Sequence, residues 1–344
     1  LIHTGQNHDY ELNQIFFDDL HIPKPDYFLE VASNNPGSTI GKIIEKTYDI
    51  LNNIKPDAVL IYGDTNSALS AISVKRLKIP LFHMEAGNRC FDQRVPEELN
   101  RKIVDHLSDI NFVLSEHARR YLISEGIKKN LIIKTGSHLN EVINFYYKKI
   151  LSSKILKKLD IKKHNYFLVS CHREENVDSK ENILLLLETL NAVAVKFRVP
   201  IIVSTHPRTR KILENIKSVK IETNIYFYNP FGFFDYINLQ INSKIILSDS
   251  GTLTEEASLL NLPAINIRYE HERPEGDDVG TLIMCGLEKK SVINAINLTL
   301  RDYDREKSNF SQVIDYTLNN FVSKQILRVV TSYIPYINKN VWKK

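Results

Sequence analysis

Short apolar runs alternate with polar turns and helical patterns along almost the whole chain. Strand-like runs occupy 58–61, 81–83, 111–114 and 131–133, and again 167–169, 201–203, 225–227, 245–247 and 264–267. They are continuously apolar instead of alternating, as expected for parallel strands covered on both faces. Segments 99–107, 118–124 and 183–197 carry helical spacing, with Ser115 a plausible N-cap before the second. This alternation predicts a doubly wound α/β protein.

The repeat divides in two. Residues 148–163 hold seven lysines and no glycine, and separate two α/β sets of similar size. The expected organisation is one Rossmann-like domain over 1–150 and a second over 151–310, with a terminal helical stretch near 311–337. The chain of 344 residues is also long for one hydrophobic core.

In open parallel sheets, ligands lie beyond the carboxyl ends of the strands. The distinctive polar residues follow that rule. Gly63-Asp64-Thr65 follows the run at 58–62, and Glu85-Ala86-Gly87 follows His83 in the next. Cys171-His172-Arg173-Glu174-Glu175, His206-Pro207-Arg208 and Asp249-Ser250-Gly251-Thr252 end three runs of the second half. Five such endings, drawn from both halves, predict a cleft lined by acids and histidines.

Asp64, Glu85 and Glu97 are candidate general bases, since carboxylates around one carbon can handle protons on opposite faces. The competing reading of Glu97-Glu98 is a pair of first-turn acids favoured by the helix dipole, with Pro96 at the helix start. For Asp64 it is an Asx-turn cap. His172 is a candidate general acid or phosphate partner, with Arg173 beside it; His206 is a weaker candidate for the cleft. Ser250-Gly251 forms a strand-to-helix turn able to take a phosphate, or simply starts a helix. Arg273, in the loop after the next strand, suits a diphosphate or a solvated pair with Glu275.

Composition narrows the classes. Hydrophobic residues make up 43% and charged residues 25%, an ordinary globular balance. The net charge of +4 is too small and diffuse for a nucleic-acid footprint. No apolar run nears the roughly 18–20 residues of a membrane span. Cys90, Cys171 and Cys285 lie far apart, which fits a reducing cytosol and no thiolate zinc site. There is no G-x-G-x-x-G and no metal-ligand histidine spacing, and Gly37–Ile43 fails as a phosphate loop. The residues alone thus predict a two-lobed α/β enzyme for a phosphorylated or nucleotide-linked ligand.

Taken together, Gly63-Asp64-Thr65, His83-Met84-Glu85-Ala86-Gly87, Pro96-Glu97-Glu98-Leu99-Asn100-Arg101, Cys171-His172-Arg173-Glu174, Ser248-Asp249-Ser250-Gly251 and Glu272-Arg273-Pro274-Glu275 resemble the non-hydrolysing UDP-N-acetylglucosamine 2-epimerase family. The run 85–98 is more similar to the UDP-N-acetyl-L-fucosamine synthase branch, which inverts C2 of UDP-2-acetamido-2,6-dideoxy-β-L-talose. The resemblance implies a GT-B architecture, a UDP-sugar substrate and no cofactor or metal. It also implies a cytoplasmic homodimer and a product feeding bacterial capsule or O-antigen synthesis. The chemistry implied is loss of UDP with the C2 proton to a 2-acetamidoglycal, then re-addition.

By matching motifs, Asp64, Glu85, Glu97 and His172 take the catalytic positions. Ser250 and Gly251 take the phosphate, Glu256 the ribose, Arg273 the pyrophosphate, and Tyr236 with Phe231 the base. Interconversion of UDP-N-acetylglucosamine and UDP-N-acetylmannosamine is the alternative within the family. Hydrolysis to a free sugar, GT-B glycosyl transfer and simple nucleotide-sugar binding lie further off. The family's opening strand and its G-T-R-P-E loop have no counterpart here. The chain therefore reads as a fragment lacking one βα unit, expected to bind UDP poorly and to turn over little.

Overall fold

A computed structural model describes residues 1–6, 14–171, 180–205, 219–303 and 312–344. By chain contacts they fall into two compact units. The first is drawn from Leu1–Asp9, Pro23–Glu141 and Ile314–Lys344, the second from Tyr10–Ile22 and Val142–Val313.

The first unit carries a four-stranded parallel sheet, β3 (Val59–Tyr62), β4 (Leu81–Met84), β5 (Ile110–Val113) and β6 (Ile132–Lys134), in sequential order. A separate parallel pair joins β1 (Ile2–His3) to β2 (Tyr27–Phe28). The apolar runs of β4 and β5 form strands because both sheet faces are covered there, whereas Leu60 and Tyr62 on the edge strand β3 stay exposed. Leu81 packs with Leu51, Val74 and Val104 on one face. Phe82 packs with Phe112 on the other, against Val322, Ile326 and Ile337 of the terminal helix Val322–Asn340. Strand alternation therefore points His83 to the same side as Leu81. There it meets the helix Pro96–Leu107, a placement that proves decisive for the site.

The expected terminal helical stretch is two helices among the described residues, Ile314–Thr317 and Val322–Asn340. Asp315 ties the first to the sheet, accepting from Lys134 Nζ at 2.7 Å and from the Glu116 amide at 2.7 Å. Ser115 caps the helix Glu116–Ser124 by accepting from the Ala118 amide.

The second unit holds a six-stranded parallel sheet. Its order is β12 (Ile283–Met284), β11 (Ala264–Asn266), β10 (Ile245–Ser248), β7 (Phe167–Cys171), β8 (Ile201–Thr205), β9 (Ile225–Tyr228). Phe167 and Val169 pack under the helices Lys180–Phe197 and Lys289–Asp302. Tyr166 and Leu168 face Leu239, Leu253 and Ala257 on the other side. The chain runs outward from β7 through β8 to β9, then returns to lay β10 on β7's other edge. That reversal makes the β7–β10 seam the topological switch point, where such sheets bind ligands.

Candidate functional site

In the first unit, β3 and β4 end side by side in two acidic turns. Gly63 has φ +78°, a left-handed conformation that disfavours a side chain. A Cβ there would lie 3.6 Å from Glu85 Oε2. The Glu85 carboxylate therefore packs over the turn that carries Asp64. Asp64 accepts from Arg101 Nε at 2.8 Å, and its backbone carbonyl accepts from Asn100 Nδ2 at 3.0 Å. Both partners sit on the helix whose first turn carries Glu97. The structure thus gathers the Asp64 and Glu85 turns with the start of the Glu97 helix.

That helix buries a charged stripe. Glu98, Arg101 and Asp105 recur every three to four residues and are almost wholly inaccessible. Glu98 accepts from the amides of Cys90 and Phe91 at 3.1 and 3.3 Å and from Arg101 Nη1 at 2.9 Å. Burial alone would raise its carboxyl pKa. The Cys90 amide and thiol and the Arg101 guanidinium overcome that and hold it below the ordinary carboxylate range.

Asp105 is more deeply enclosed. Oδ1 lies 2.8 Å from His83 Nδ1, and Oδ2 accepts from Arg89 Nη1 at 2.8 Å and the Gly87 amide at 3.2 Å. His83 and Arg89 hold its carboxyl below the ordinary range against the effect of burial. Arg89 closes the network with a fork onto Glu125, at 2.7 and 2.6 Å.

In the second unit, the switch point is tied across its seam. The Cys171 thiol at the end of β7 donates to Asp249 Oδ2, just past β10, at 3.0 Å. The turn beyond offers Ser250 and Gly251 ahead of the helix Leu253–Leu260. Ser250 Oγ lies 3.0 Å from Thr252 Oγ1, which donates to Glu256 Oε1 at 2.9 Å. Gln240 donates to the other oxygen of Glu256. Burial pushes the Glu256 carboxyl upward, with Gln240 and Thr252 opposing.

Tyr236 stands on the same side of the sheet. Burial, with Glu256 and Asp249 nearby, pushes its phenol upward, while Ser170 and Gln240 bond the hydroxyl. Phe231 packs 5.8 Å from Tyr228, centroid to centroid. Arg273 is buried and bound to Glu255, its Nη2 lying 2.9 Å from Oε1. It therefore joins the Glu256 helix through a carboxylate partner, and the burial of both Arg273 and Glu275 overturns the solvated arrangement weighed from sequence.

The predicted residues thus fall in two groups: Asp64 and Glu85, with Glu97 on the helix whose Asn100 and Arg101 bind the Asp64 turn, in the first unit, and Ser250, Gly251, Glu256, Tyr236 and Arg273 in the second. His172, Arg173 and His206 lie outside the described residues. Sequence reasoning gave Glu98 only a first-turn helix duty and no role to Asp105, Arg89, Arg101 or Gln240. For the helix, the signal was present: charges at 98, 101 and 105 repeat with helical period on what must be an inner face. Among the described residues, no helix is long and apolar enough to cross a membrane.

With this geometry in hand, three comparisons place the chain. The profile of a family described as "UDP-N-acetylglucosamine 2-epimerase" matches residues 1–331. The solved UDP-N-acetylglucosamine 2-epimerase from Rickettsia bellii is 54% identical with a TM-score of 0.93, covering 100% of this chain and 91% of that one. The Methanocaldococcus jannaschii enzyme, solved with UDP-GlcNAc and UDP, is 33% identical with a TM-score of 0.87, over 96% of this chain and 91% of that one. A Pseudomonas aeruginosa UDP-2,3-diacetamido-2,3-dideoxy-D-glucuronate 2-epimerase is 32% identical over 303 residues, 87% of this chain and 83% of its own. Two parallel-sheet units of this kind make a GT-B-like fold.

Proposed function

From the premise that the chain belongs to the non-hydrolysing UDP-N-acetylglucosamine 2-epimerase family, we propose that it interconverts UDP-N-acetylglucosamine and UDP-N-acetylmannosamine. As a family member it is a UDP-sugar 2-epimerase, an isomerase. The solved relatives named above carry the UDP-N-acetylglucosamine name. The relatives named above do not favour the 2,6-dideoxy-L-talose sugar expected from residues 85–98, so the plainer substrate is the better supported. The Pseudomonas aeruginosa relative's name indicates that the family also includes sugars altered at C3 and C6.

The observation that carries the reading is the packing of Glu85 over Gly63, beside Asp64. A C2 proton on a pyranose has no adjacent carbonyl to acidify it, so its removal must accompany departure of the C1 substituent. One carboxylate takes the C2 proton while the C1–O bond to UDP breaks, giving UDP and a 2-acetamidoglycal. A carboxylic acid then returns a proton to the opposite face of C2, and UDP re-forms the bond at C1. No atom is gained or lost. Arg101 holds Asp64 in a fixed rotamer for this work, and the Glu97 helix supplies the third acid. In the second unit, Ser250, Gly251 and Arg273 are assigned to the diphosphate, Glu256 to the ribose and Tyr236 to the base, with Phe231 beside it. His172, with Arg173, is assigned to the departing diphosphate, and His206 to the cleft wall.

The test uses deuterated buffer with UDP-N-acetylglucosamine, UDP-N-acetylmannosamine and the 2,6-dideoxy-L-talo sugar, followed by proton NMR. Deuterium at C2 with the sugar still joined to UDP at equilibrium supports epimerisation, and the fastest substrate names the branch. Free sugar instead would indicate hydrolysis. Measurable UDP binding without exchange at C2 in any of the three would sink epimerisation in favour of transfer or simple binding.

A further inference from the structure

His83 lies in the middle of a buried strand and is wholly inaccessible. Its two ring nitrogens meet two different groups, Nδ1 at 2.8 Å from Asp105 Oδ1 and Nε2 at 2.9 Å from the Gly63 carbonyl oxygen. A backbone carbonyl only accepts. Asp105 also only accepts, because Arg89 and the Gly87 amide donate to its other oxygen and keep it ionised. A neutral imidazole has one N–H and would leave one of the two acceptors facing a lone pair.

Charge balance points the same way. Buried Arg89 and Asp105, with Glu125 a quarter exposed at the edge of the set, carry one cation against two carboxylates, and a charged His83 makes the set neutral. The other groups facing the ring are Glu85 at the end of its own strand and Asn111 opposite on β5. Glu85 adds negative potential, and Asn111 adds no charge.

The Gly63 carbonyl lies one peptide before Asp64, and the Gly87 amide lies two residues past Glu85. Asp105 and His83 therefore grip both acidic turns at once, one through the ring and one directly. We propose that His83 is a permanent imidazolium which, with Asp105, sets the spacing of the Asp64 and Glu85 turns for proton transfer at C2. It is a positioning residue: it holds the carriers and does not itself carry the proton. Burial would discharge the ring, and the Asp105 carboxylate overrides that, leaving its pKa above the ordinary value. The role in turnover rests on the epimerase reading; the charge state does not.

Two measurements test it on the full chain. The first is 15N NMR of protein labelled at histidine, with the His83 signals assigned from His83→Gln. Both ring nitrogens should be protonated and unchanged from about pH 6 to 8, as Asp105 keeps the ring charged. One unprotonated nitrogen at neutral pH would overturn the proposal. The second is steady-state kinetics of His83→Gln and Asp105→Asn.

A change in spacing should lower kcat at least tenfold, with KM and UDP affinity within about twofold, since a misplaced group acts on the transition state. A purely structural role would leave kcat per folded molecule unchanged, and that result would refute positioning. If His83→Gln does not fold, Asp105→Asn and the wild-type ring spectra decide, its signals then assigned by their protection from solvent exchange. A wild-type chain that exchanges no C2 proton would sink the epimerase reading, while the ring spectra would still judge the imidazolium.

Discussion

Replacing Arg101 by Met removes the cation shared by Asp64 and Glu98 while keeping much of the side-chain volume. Glu98 is the costly partner, because its side chain is only 1% exposed. It would keep the Cys90 and Phe91 amides and lose its shortest charge-assisted bond, at 2.9 Å. Stranding a buried charge in this way costs about 3–5 kcal/mol. Lys102 Nζ, 3.8 Å from the other Glu98 oxygen, offers partial compensation, so about 3 kcal/mol is expected, roughly a hundredfold in the folding equilibrium.

The chain has a single tryptophan, Trp342, in the first unit, with Lys75 Nζ 4.5 Å from its ring centroid. Urea unfolding followed by its fluorescence therefore reports this unit and not the other. Adding Glu98→Gln to Arg101→Met should recover about 2 kcal/mol, because no charge is then stranded. Strictly additive effects, or a loss below about 1 kcal/mol for Arg101→Met alone, would refute the coupling.

Other outcomes follow from the same geometry. Gly87→Ala should destabilise the first unit by about 2 kcal/mol or more, by the same fluorescence curve. Gly87 has φ +79°, and its Cβ would stand 2.5 Å from the Ala118 carbonyl oxygen, a backbone atom with little room to yield. Asp105 has a folded pKa below its unfolded 3.8, so it contributes stability above that value which is lost as pH falls through the folded one. Asp105→Asn should therefore flatten the acid limb of a stability profile measured from pH 5 to 2. Glu256 has a folded pKa above its unfolded 4.5, so its ionisation opposes folding from that pH upward. Relative to wild type, thermal melts of Glu256→Gln should improve as pH rises from 4.5 through the folded pKa, and UDP affinity by calorimetry should fall. Arg273→Lys keeps a charge but loses the fork; UDP should bind at least tenfold more weakly by calorimetry.

The strands were readable because a parallel strand covered on both faces has nothing but apolar residues to show. Every run named from sequence is a strand to within a few residues, among them 245–247 in β10 and 201–203 in β8. The acidic turns were readable for a related reason, since polar groups at the carboxyl ends of apolar strands have few purely structural duties. What holds those turns was not readable. Asp105 lies 22 residues from His83, and Cys171 lies 78 from Asp249; no spacing rule links residues that meet only through sheet order. Glu98 read only as a first-turn acid, and Arg101 and Asp105 carried no role of their own, because charge normally marks the outside of a helix. Their regular period was visible, but a buried partner set was needed to tell inside from outside.

The seam between β7 and β10 also bears on how the second unit comes into being. The three strands β7, β8 and β9 follow one another along the chain and can pair as they emerge. β10 must come back over β9 and β8 to reach β7, so that closure spans 78 residues, more than twice the β7–β8 distance. The extra loop entropy is modest, roughly 0.6 kcal/mol for each doubling, but it orders events: local pairings come first. During synthesis, the Ser250 turn proposed for the diphosphate therefore has no seam to stand beside until β10 has left the ribosome. On the proposed assignment, a nucleotide sugar would find its anchor only on a nearly complete unit, and would select for chains that had finished the sheet.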